Sequence, residues 1–272
     1  MKDRTELAAD AREMRKDIIR MTYATGRTGA HIGGSLSLVE IMAALYLDVL
    51  RFSPAEPEDE RRDRLILSKG HGAMAQYAAM RQAGILDEEE LLTYKKHDSR
   101  LSAHPARNTA LGIEFSSGSL GQGLSQGVGT ALALRRKGND ARVFVILGDG
   151  ECDEGSVWEA AMSASHFGLT NLTAIVDENG LQYDGATSAT MRLAPFCEKW
   201  RAFGWAADEV DGHNLSALLA ALHAPADRPH VILAKTVKGK GVSFMENDPK
   251  WHNGRLTQAQ YEQAIAEQEA AQ

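Results

Sequence analysis

The sequence predicts an α/β protein built on a parallel sheet with helices on both faces. Two observations carry that reading. The β-branched runs Val143 to Leu147, Leu172 to Val176 and His230 to Lys235 alternate with the helical segments Trp158 to Phe167 and Leu215 to Leu222. Glycine-containing turns, Gly148-Asp149-Gly150 and Asn179-Gly180, directly follow the first two runs. Strands joined through helices pair in parallel by right-handed crossovers, which puts helices over the sheet.

Along the chain, Leu7, Ala11, Met14, Ile18 and Met21 recur at steps of four and three, one apolar stripe on a helix of about four turns. A glycine-rich loop, Thr25 to Ser35, follows. Ser37 with Glu40 three residues on predicts a capping box opening a second helix, so His31 falls just before a helix N-terminus. Asp59 to Arg64 is a charged connection into the short buried strand Leu65-Ile66-Leu67. Ser68-Lys69-Gly70-His71-Gly72 and an Ala-rich helix complete a strand-turn-helix unit, placing His71 at a strand's carboxyl end. Asp87 with Glu90 begins a capped helix predicted to end at Lys95 and Lys96, where the helix dipole favours cations. Ser102-Ala103-His104-Pro105 is irregular, because the residue before proline avoids the α region. Beyond the helix Val128 to Arg136 and the alternating segments above, Trp205 to Val210 is a further strand and Thr257 to Glu269 a polar helix. Gly239 to Asn253 is a long loop of the kind that usually has a task. With no repeat and no flexible linker, residues 1–272 read as a single domain.

Composition removes several function classes. Thirty Lys and Arg against 37 Asp and Glu leave a formal net charge of -7, the wrong sign for a protein that binds by neutralising phosphates, so nucleic acid is not expected as a partner. Gly29 to Val39 is too short and too rich in Gly and Ser to cross a bilayer, and Met1 to Arg20 alternates charges where a signal peptide would be apolar. A soluble cytoplasmic protein is expected. Cys152 and Cys197 have neither metal-type nor redox-type spacing, so the apolar core must hold the fold.

The chemistry-bearing residues gather at predicted strand ends. Asp149 and Asn179 stand thirty residues apart after two strands that a βαβ unit makes neighbours, so both should reach the carboxyl edge where open α/β sheets bind ligands. Either turn alone reads as an ordinary turn; the pair reads as a site. A carboxylate, an amide oxygen and a nearby carbonyl are hard ligands suited to Mg²⁺ or Ca²⁺, with phosphate oxygens and water completing the shell. Ser117 to Gly127 could bring a helix N-terminus to an anion. As a nicotinamide fingerprint it is weak, because Leu111 to Phe115 makes a poor strand and no acidic residue follows at the expected distance. No P-loop and no zinc-hydrolase pattern occurs. Four histidines, His31, His71, His104 and His252, sit in loops beside glycine, proline or a helix start, as proton-exchanging and hydroxyl-holding imidazoles would. His166, His223 and His230 fall inside predicted elements and read as structural or exposed.

At these residues the sequence resembles the thiamine-diphosphate enzymes, and the order of its motifs is similar to the N-terminal half of transketolase. Those motifs are Gly-Ala-His31-Ile-Gly-Gly-Ser, Ser-Lys-Gly-His71-Gly, Ala-His104-Pro, Gly118-Ser-Leu-Gly-Gln-Gly, Gly-Asp149-Gly-Glu-Cys-Asp-Glu154-Gly, Asp-Glu-Asn179-Gly, Asp-Gly-His213 and Lys-Thr-Val-Lys238-Gly-Lys-Gly with Trp-His252. The resemblance implies the diphosphate-binding (PP-type) fold, thiamine diphosphate and Mg²⁺ as cofactors, and transfer of a two-carbon ketol unit from a ketose phosphate to an aldose. It implies Asp149, Asn179 and the Leu181 carbonyl as Mg²⁺ ligands, Gly150 and His71 at the diphosphate, and Gly118, Ser119 and Leu120 at the aminopyrimidine. His31, His104 and His252 would line the substrate funnel, with His252 also beside the cofactor, and Glu154 would link cofactor sites across a dimer interface.

The family also needs a pyrimidine-binding domain that supplies an activating glutamate, and complete transketolases are at least about twice this length. The resemblance therefore implies one subunit of a split enzyme, completed by a C-terminal partner chain in an α2β2 assembly. Ile32 after His31 and Asn253 after His252 depart from the family's usual proline and glycine, which bears on donor preference. The alternatives are a deoxyxylulose-phosphate-synthase-like or dehydrogenase-type component, a nicotinamide-dependent oxidoreductase, and a non-catalytic scaffold.

Overall fold

In the computed structural model, which describes residues 3–270, the chain opens with helix α1 (Arg4–Ala24), whose stripe Leu7, Ala11, Met14, Ile18 and Met21 is buried. Asp3 and Glu6 form a reciprocal capping box at its start. The glycine-rich loop leads into α2 (Ile32–Leu36), with His31 as its N-cap residue, and α3 (Val39–Ala44). The capping box expected at Ser37 and Glu40 does not form. Ser37 already has helical φ and ψ, its hydroxyl donates to Asp177 Oδ2 at 2.7 Å, and Glu40 turns to Arg15 and His213.

Strand β1 (Arg64–Leu67) precedes α4 (Ala73–Gln82), the expected strand-turn-helix unit. The next helix, α5 (Glu88–Leu91), is shorter than expected: Asp87 caps it, but Lys95 has a positive φ of 60° and lies beyond it. A long irregular segment containing His104 then reaches α6 (Gly123–Arg136), which starts five residues before the expected Val128. The remaining order is β2 (Val143–Gly148), α7 (Gly155–His166), β3 (Leu172–Glu178), the hairpin strands β4 (Leu181–Gln182) and β5 (Gly185–Ala186), α8 (Thr187–Thr190), α9 (Phe196–Ala202), β6 (Ala206–Asp211), α10 (Leu215–Leu222), β7 (His230–Lys235) and α11 (Gln258–Ala270). The sequence pattern does not predict the β4–β5 hairpin or α9.

Among the described residues, five strands form one parallel sheet in the order β1-β2-β3-β7-β6. Alternation along each strand serves two cores, one per face. Phe144, Ile146, Ile175 and Ile232 point into a cluster with α1 to α4, α10 and α11, while Val143, Val145, Leu147, Ala174, Val176 and Leu233 point into a second with α6, α7 and α9. Helices therefore cover both faces. The chain steps from β1 through β3, skips to β6 at the edge and returns through β7, so the strand order reverses beside β3, where a crevice opens at the carboxyl edge. β6 carries Asp208, Glu209 and Asp211, all exposed, on that outer edge.

Candidate functional site

The turns after β1, β2, β3 and β7 meet at the carboxyl edge. After β2, Asp149 Oδ1 accepts the Gly150 N–H at 2.9 Å and its Oδ2 accepts the Gly180 N–H at 2.7 Å, tying it to the turn after β3. Asn179, in that turn, accepts the Leu181 N–H at 3.1 Å through Oδ1 and donates from Nδ2 to Asp177 Oδ2 at 3.1 Å. Asp149 and Asn179 are thus brought together, as their spacing predicts. Burial, with Asp177 nearby, pushes the Asp149 carboxyl up to about 6, because two backbone N–H groups and the more distant Lys69 charge offset the lost hydration only in part.

Behind these turns lies a buried ion pair whose two members stand in separate sequence motifs, Ser-Lys69-Gly-His71-Gly and Asp177-Glu-Asn179-Gly, with nothing in either to show that they pair. Lys69 and Asp177 are 1% and 0% exposed in their side chains and in contact, and Ser37 and Thr236 also donate to Asp177. Burial alone would raise the Asp177 carboxyl, but the Lys69 charge and these hydrogen bonds outweigh it and hold the carboxyl below its usual range. Asp177 also fixes the Asn179 amide, so Oδ1 is the oxygen left to accept. Glu151, also buried, ties the turns from the other side: it takes hydrogen bonds from Ser68, from the Gly121 N–H at 2.9 Å and from the Gly148 N–H at 3.0 Å.

Four imidazoles gather in front of the turns. Ring centroids lie 5.7 Å apart for His31 and His71, 5.5 Å for His31 and His104, 5.4 Å for His31 and His252, and 5.3 Å for His71 and His252. The glycines let this happen: a side chain on Gly33 would run into the Trp251 carbonyl at 2.7 Å, beside His252, and Gly118, at φ 135°, lies against the His104 ring. Burial, then the charges of His104, Lys95, Lys238 and Lys69, lowers His31 to about 4; burial and Lys238 lower His252 to about 3. His71 and His104 are lowered by burial and neighbouring lysines as well. At neutral pH all four are uncharged, each with one donor and one acceptor nitrogen.

Lys238, on the segment after β7, joins the histidines to the turns. Its Nζ lies 3.2 Å from the Leu181 carbonyl and 3.2 Å from His252 Nδ1. Burial and the neighbouring Lys69 lower it to about 8, so it remains mostly charged at pH 7, and an ammonium can only donate. His252 Nδ1 is therefore the acceptor and Nε2 holds the proton. A cavity of about 240 Å³ is bounded by Lys69, His71, Asp149, Asn179, Lys238 and His252, with Leu120 and Gly150 also on its wall. Tyr183, 74% exposed, packs edge-on against His252 at its mouth. Gly118 lies beside His104, Ser119 is exposed, and Glu154 is exposed at the start of α7, against the Gly121 turn rather than in the cavity.

The signals that could have revealed Lys69 and Lys238 were present: both stand in the turns that carry His71 and follow β7. What no spacing rule shows is that each amino group folds back into the site.

The donor set fits a divalent cation bound together with a diphosphate. Among the described residues no group of three or more His, Cys, Asp and Glu could hold a metal, so a cage made of protein anions is excluded. What remains among the described residues is one buried carboxylate to which no cationic side chain bonds, one amide oxygen and the Leu181 carbonyl, which here accepts from Lys238 at 3.2 Å, the sparse set that suits Mg²⁺ when phosphates and water supply the other positions. The nicotinamide alternative fails on the backbone, since Leu111 to Phe115 forms no strand ahead of the glycine-rich stretch.

Comparison with known proteins agrees with this geometry. Residues 5–268 match the family described as transketolase, thiamine diphosphate binding domain, which defines the class as a thiamine-diphosphate-binding α/β domain. A protein of Phocaeicola vulgatus, named as one of the subunits of an apulose-4-phosphate transketolase, is 39% identical over 264 residues, covering 96% of this chain and 93% of that protein. The 6-deoxy-6-sulfo-D-fructose transketolase subunit SqwG of Clostridium sp. (strain MSTE9) is 42% identical over 248 residues, covering 90% of each. The chain belongs to the transketolase family. Human transketolase is 38% identical over 258 residues, and the crystal structure of a transketolase from Pichia stipitis superposes with a TM-score of 0.88 at 27% identity. The chain spans 41% of the human protein and 40% of the Pichia chain. Among the described residues no helix is long and apolar enough to cross a membrane.

Proposed function

We propose that the chain, residues 1–272, is a single diphosphate-binding domain and the N-terminal half of a two-chain, Mg²⁺-dependent transketolase. The observation that carries this reading is the convergence of Asp149, Asn179 and the Leu181 carbonyl with His71 and His252 around one cavity, with His31 packed against both of those rings and His104 against His31. Near-complete mutual coverage with relatives named as transketolase subunits supports a separate partner chain. That partner would contribute the pyrimidine-binding half and its activating glutamate in an α2β2 heterotetramer. We place the enzyme in the cytoplasm, whose reducing conditions suit its two free cysteines.

Asp149, Asn179 and the Leu181 carbonyl would hold Mg²⁺, and Gly150 and His71 would meet the diphosphate. Gly118, Ser119 and Leu120 would face the aminopyrimidine, and Glu154 would face the neighbouring site across the assembly. Thiamine diphosphate supplies the nucleophilic carbon and electron sink for cleaving a ketose. The chain's own part is positional and acid-base. His31, His104 and His252 would hold the ketose hydroxyls, each imidazole accepting from one hydroxyl or donating to another. His252 offers Nε2–H as donor because Lys238 occupies Nδ1. A hydroxyl of the ketose finds a neutral imidazole nitrogen to accept its hydrogen bond, since burial keeps the three rings unprotonated. The names of the relatives point to a ketose with an anionic tail, a phosphate or a sulfonate.

The test is reconstitution. The purified chain alone should transfer no ketol unit from a ketose phosphate; mixed with the partner recovered from its host, Mg²⁺ and thiamine diphosphate, it should. Turnover by this chain unaided would refute the split assignment.

A further inference from the structure

His213, on the turn after β6, does not line the cavity, yet both of its ring nitrogens are engaged. Nδ1 lies 2.9 Å from Glu40 Oε2, and Nε2 accepts the Val237 N–H at 2.9 Å. A backbone N–H can only donate, so Nε2 is bare, and the ring proton sits on Nδ1 and is given to Glu40. Glu40 is itself buried, 7% exposed, and paired with Arg15 of α1. The chain of contacts therefore runs Arg15, Glu40, His213, Val237.

Val237 immediately precedes Lys238. The segment around them is pinned at each end, by Thr236 donating to Asp177 and by the Gly239 N–H donating to the Gly33 carbonyl at 3.0 Å. Between those pins the Val237 N–H bonds to the His213 side chain, and from there Lys238 reaches Leu181 and His252.

We propose that His213 is a positioning residue, which clamps the Val237 backbone in one tautomer and so fixes where Lys238 delivers its amino group. What that delivery serves rests on the transketolase reading; the clamp itself does not.

The experiment uses the full chain without cofactor. Nitrogen NMR of the histidine rings should show His213 protonated at Nδ1 and bare at Nε2; the opposite tautomer in the wild type would overturn the proposal without any variant. His213→Asn keeps a donor for Glu40 but loses the acceptor, whereas His213→Gln places an acceptor near the Nε2 position. Hydrogen exchange across residues 236–239 should speed up about tenfold in H213N, with a shift of the His252 ring nitrogens, and stay near wild type in H213Q. Equal exchange in H213N and wild type would overturn the clamp. So would equal acceleration in both variants with matching losses of melting temperature, which would make His213 only a brace between α3 and β6. A wild-type chain and partner that fail to bind thiamine diphosphate would overturn the transketolase reading instead, leaving the exchange and tautomer results intact.

Discussion

Asp149 and Gly180, thirty-one residues apart, are joined at 2.7 Å by the carboxylate oxygen Oδ2 and a backbone N–H across the ends of β2 and β3. That bond, made by the protein alone, sets the distance between the carboxylate and the neighbouring Asn179 amide. If the pair is a preformed half-shell for Mg²⁺, Asp149→Ala and Asn179→Ala should each weaken Mg²⁺-dependent thiamine diphosphate binding by about a hundredfold or more. Fluorescence titration of the chain with its partner checks this, and unchanged affinity in either variant would remove the metal assignment.

Lys69 and Asp177 should behave as one unit. Removing the cation leaves a carboxylate that is 0% exposed without its main partner. Lys69→Met should therefore cost about 3–5 kcal/mol, while the double change with Asp177→Asn should cost clearly less than the two single losses added together. Urea denaturation of the four proteins in the cycle decides. Additive losses would mean the two side chains do not depend on each other.

The imidazoles and the metal turns should separate kinetically. His31→Ala or His104→Ala in the reconstituted enzyme should lower turnover by about 10²–10⁴-fold, the range expected when a positioned proton-transfer group is removed, and leave thiamine diphosphate affinity within a few-fold. A variant that lost the cofactor instead would place its ring at the diphosphate end.

Acid should loosen the fold through the same histidines. His31 and His252 titrate near 4 and 3 in the folded chain against an ordinary value of 6.5, and His71 and His104 are displaced the same way. Between those values the unfolded chain binds more protons, so their contribution is fully present above about pH 6.5 and lost as the pH falls towards about 4. Asp149, raised to about 6, and Glu151, also raised, act with the opposite sign: their contribution is present at low pH and lost as the pH rises through their folded values. Asp17 and Asp153 are raised as well, but the buried carboxyls of Asp177 and Glu40 are lowered and lose their contribution on acidification along with the four imidazoles, so the net result should be a fall in melting temperature as the pH drops. His31→Asn combined with His104→Asn should flatten that fall, by about 5 °C between pH 6.5 and 4.5. Circular dichroism melts would show it, and an identical slope in the double variant would contradict the lowered values.

Local chemistry explains which features the sequence made legible. Leu65 to Leu67 and Val143 to Leu147 are buried between two helical layers, so their composition alone marks them as strands, and each strand end then announces a site residue. Ser37 misled because its hydroxyl has a better acceptor, Asp177, 140 residues away, than any helix N–H beside it. Glu40 is likewise claimed by Arg15 and His213 from distant elements. Helix α9 has few apolar positions, Phe196 and Trp200 being its buried ones, so no long periodic stripe announces it. The roles of Lys69 and Lys238 escaped for the same reason as that of Ser37: a buried cation is recognisable only from the carboxylate or carbonyl that tertiary structure brings to it.

The outer strand β6 has a consequence for assembly. Asp208 lies 2.9 Å from His230 and Glu209 3.2 Å from Lys235 of the neighbouring strand, yet they and Asp211 stay exposed on an edge whose backbone is open on one side. A second chain approaching to continue the sheet would set its own acidic edge against this one, and like charges opposed across a ladder repel. The molecule thus discourages edge-to-edge continuation of its sheet at that border.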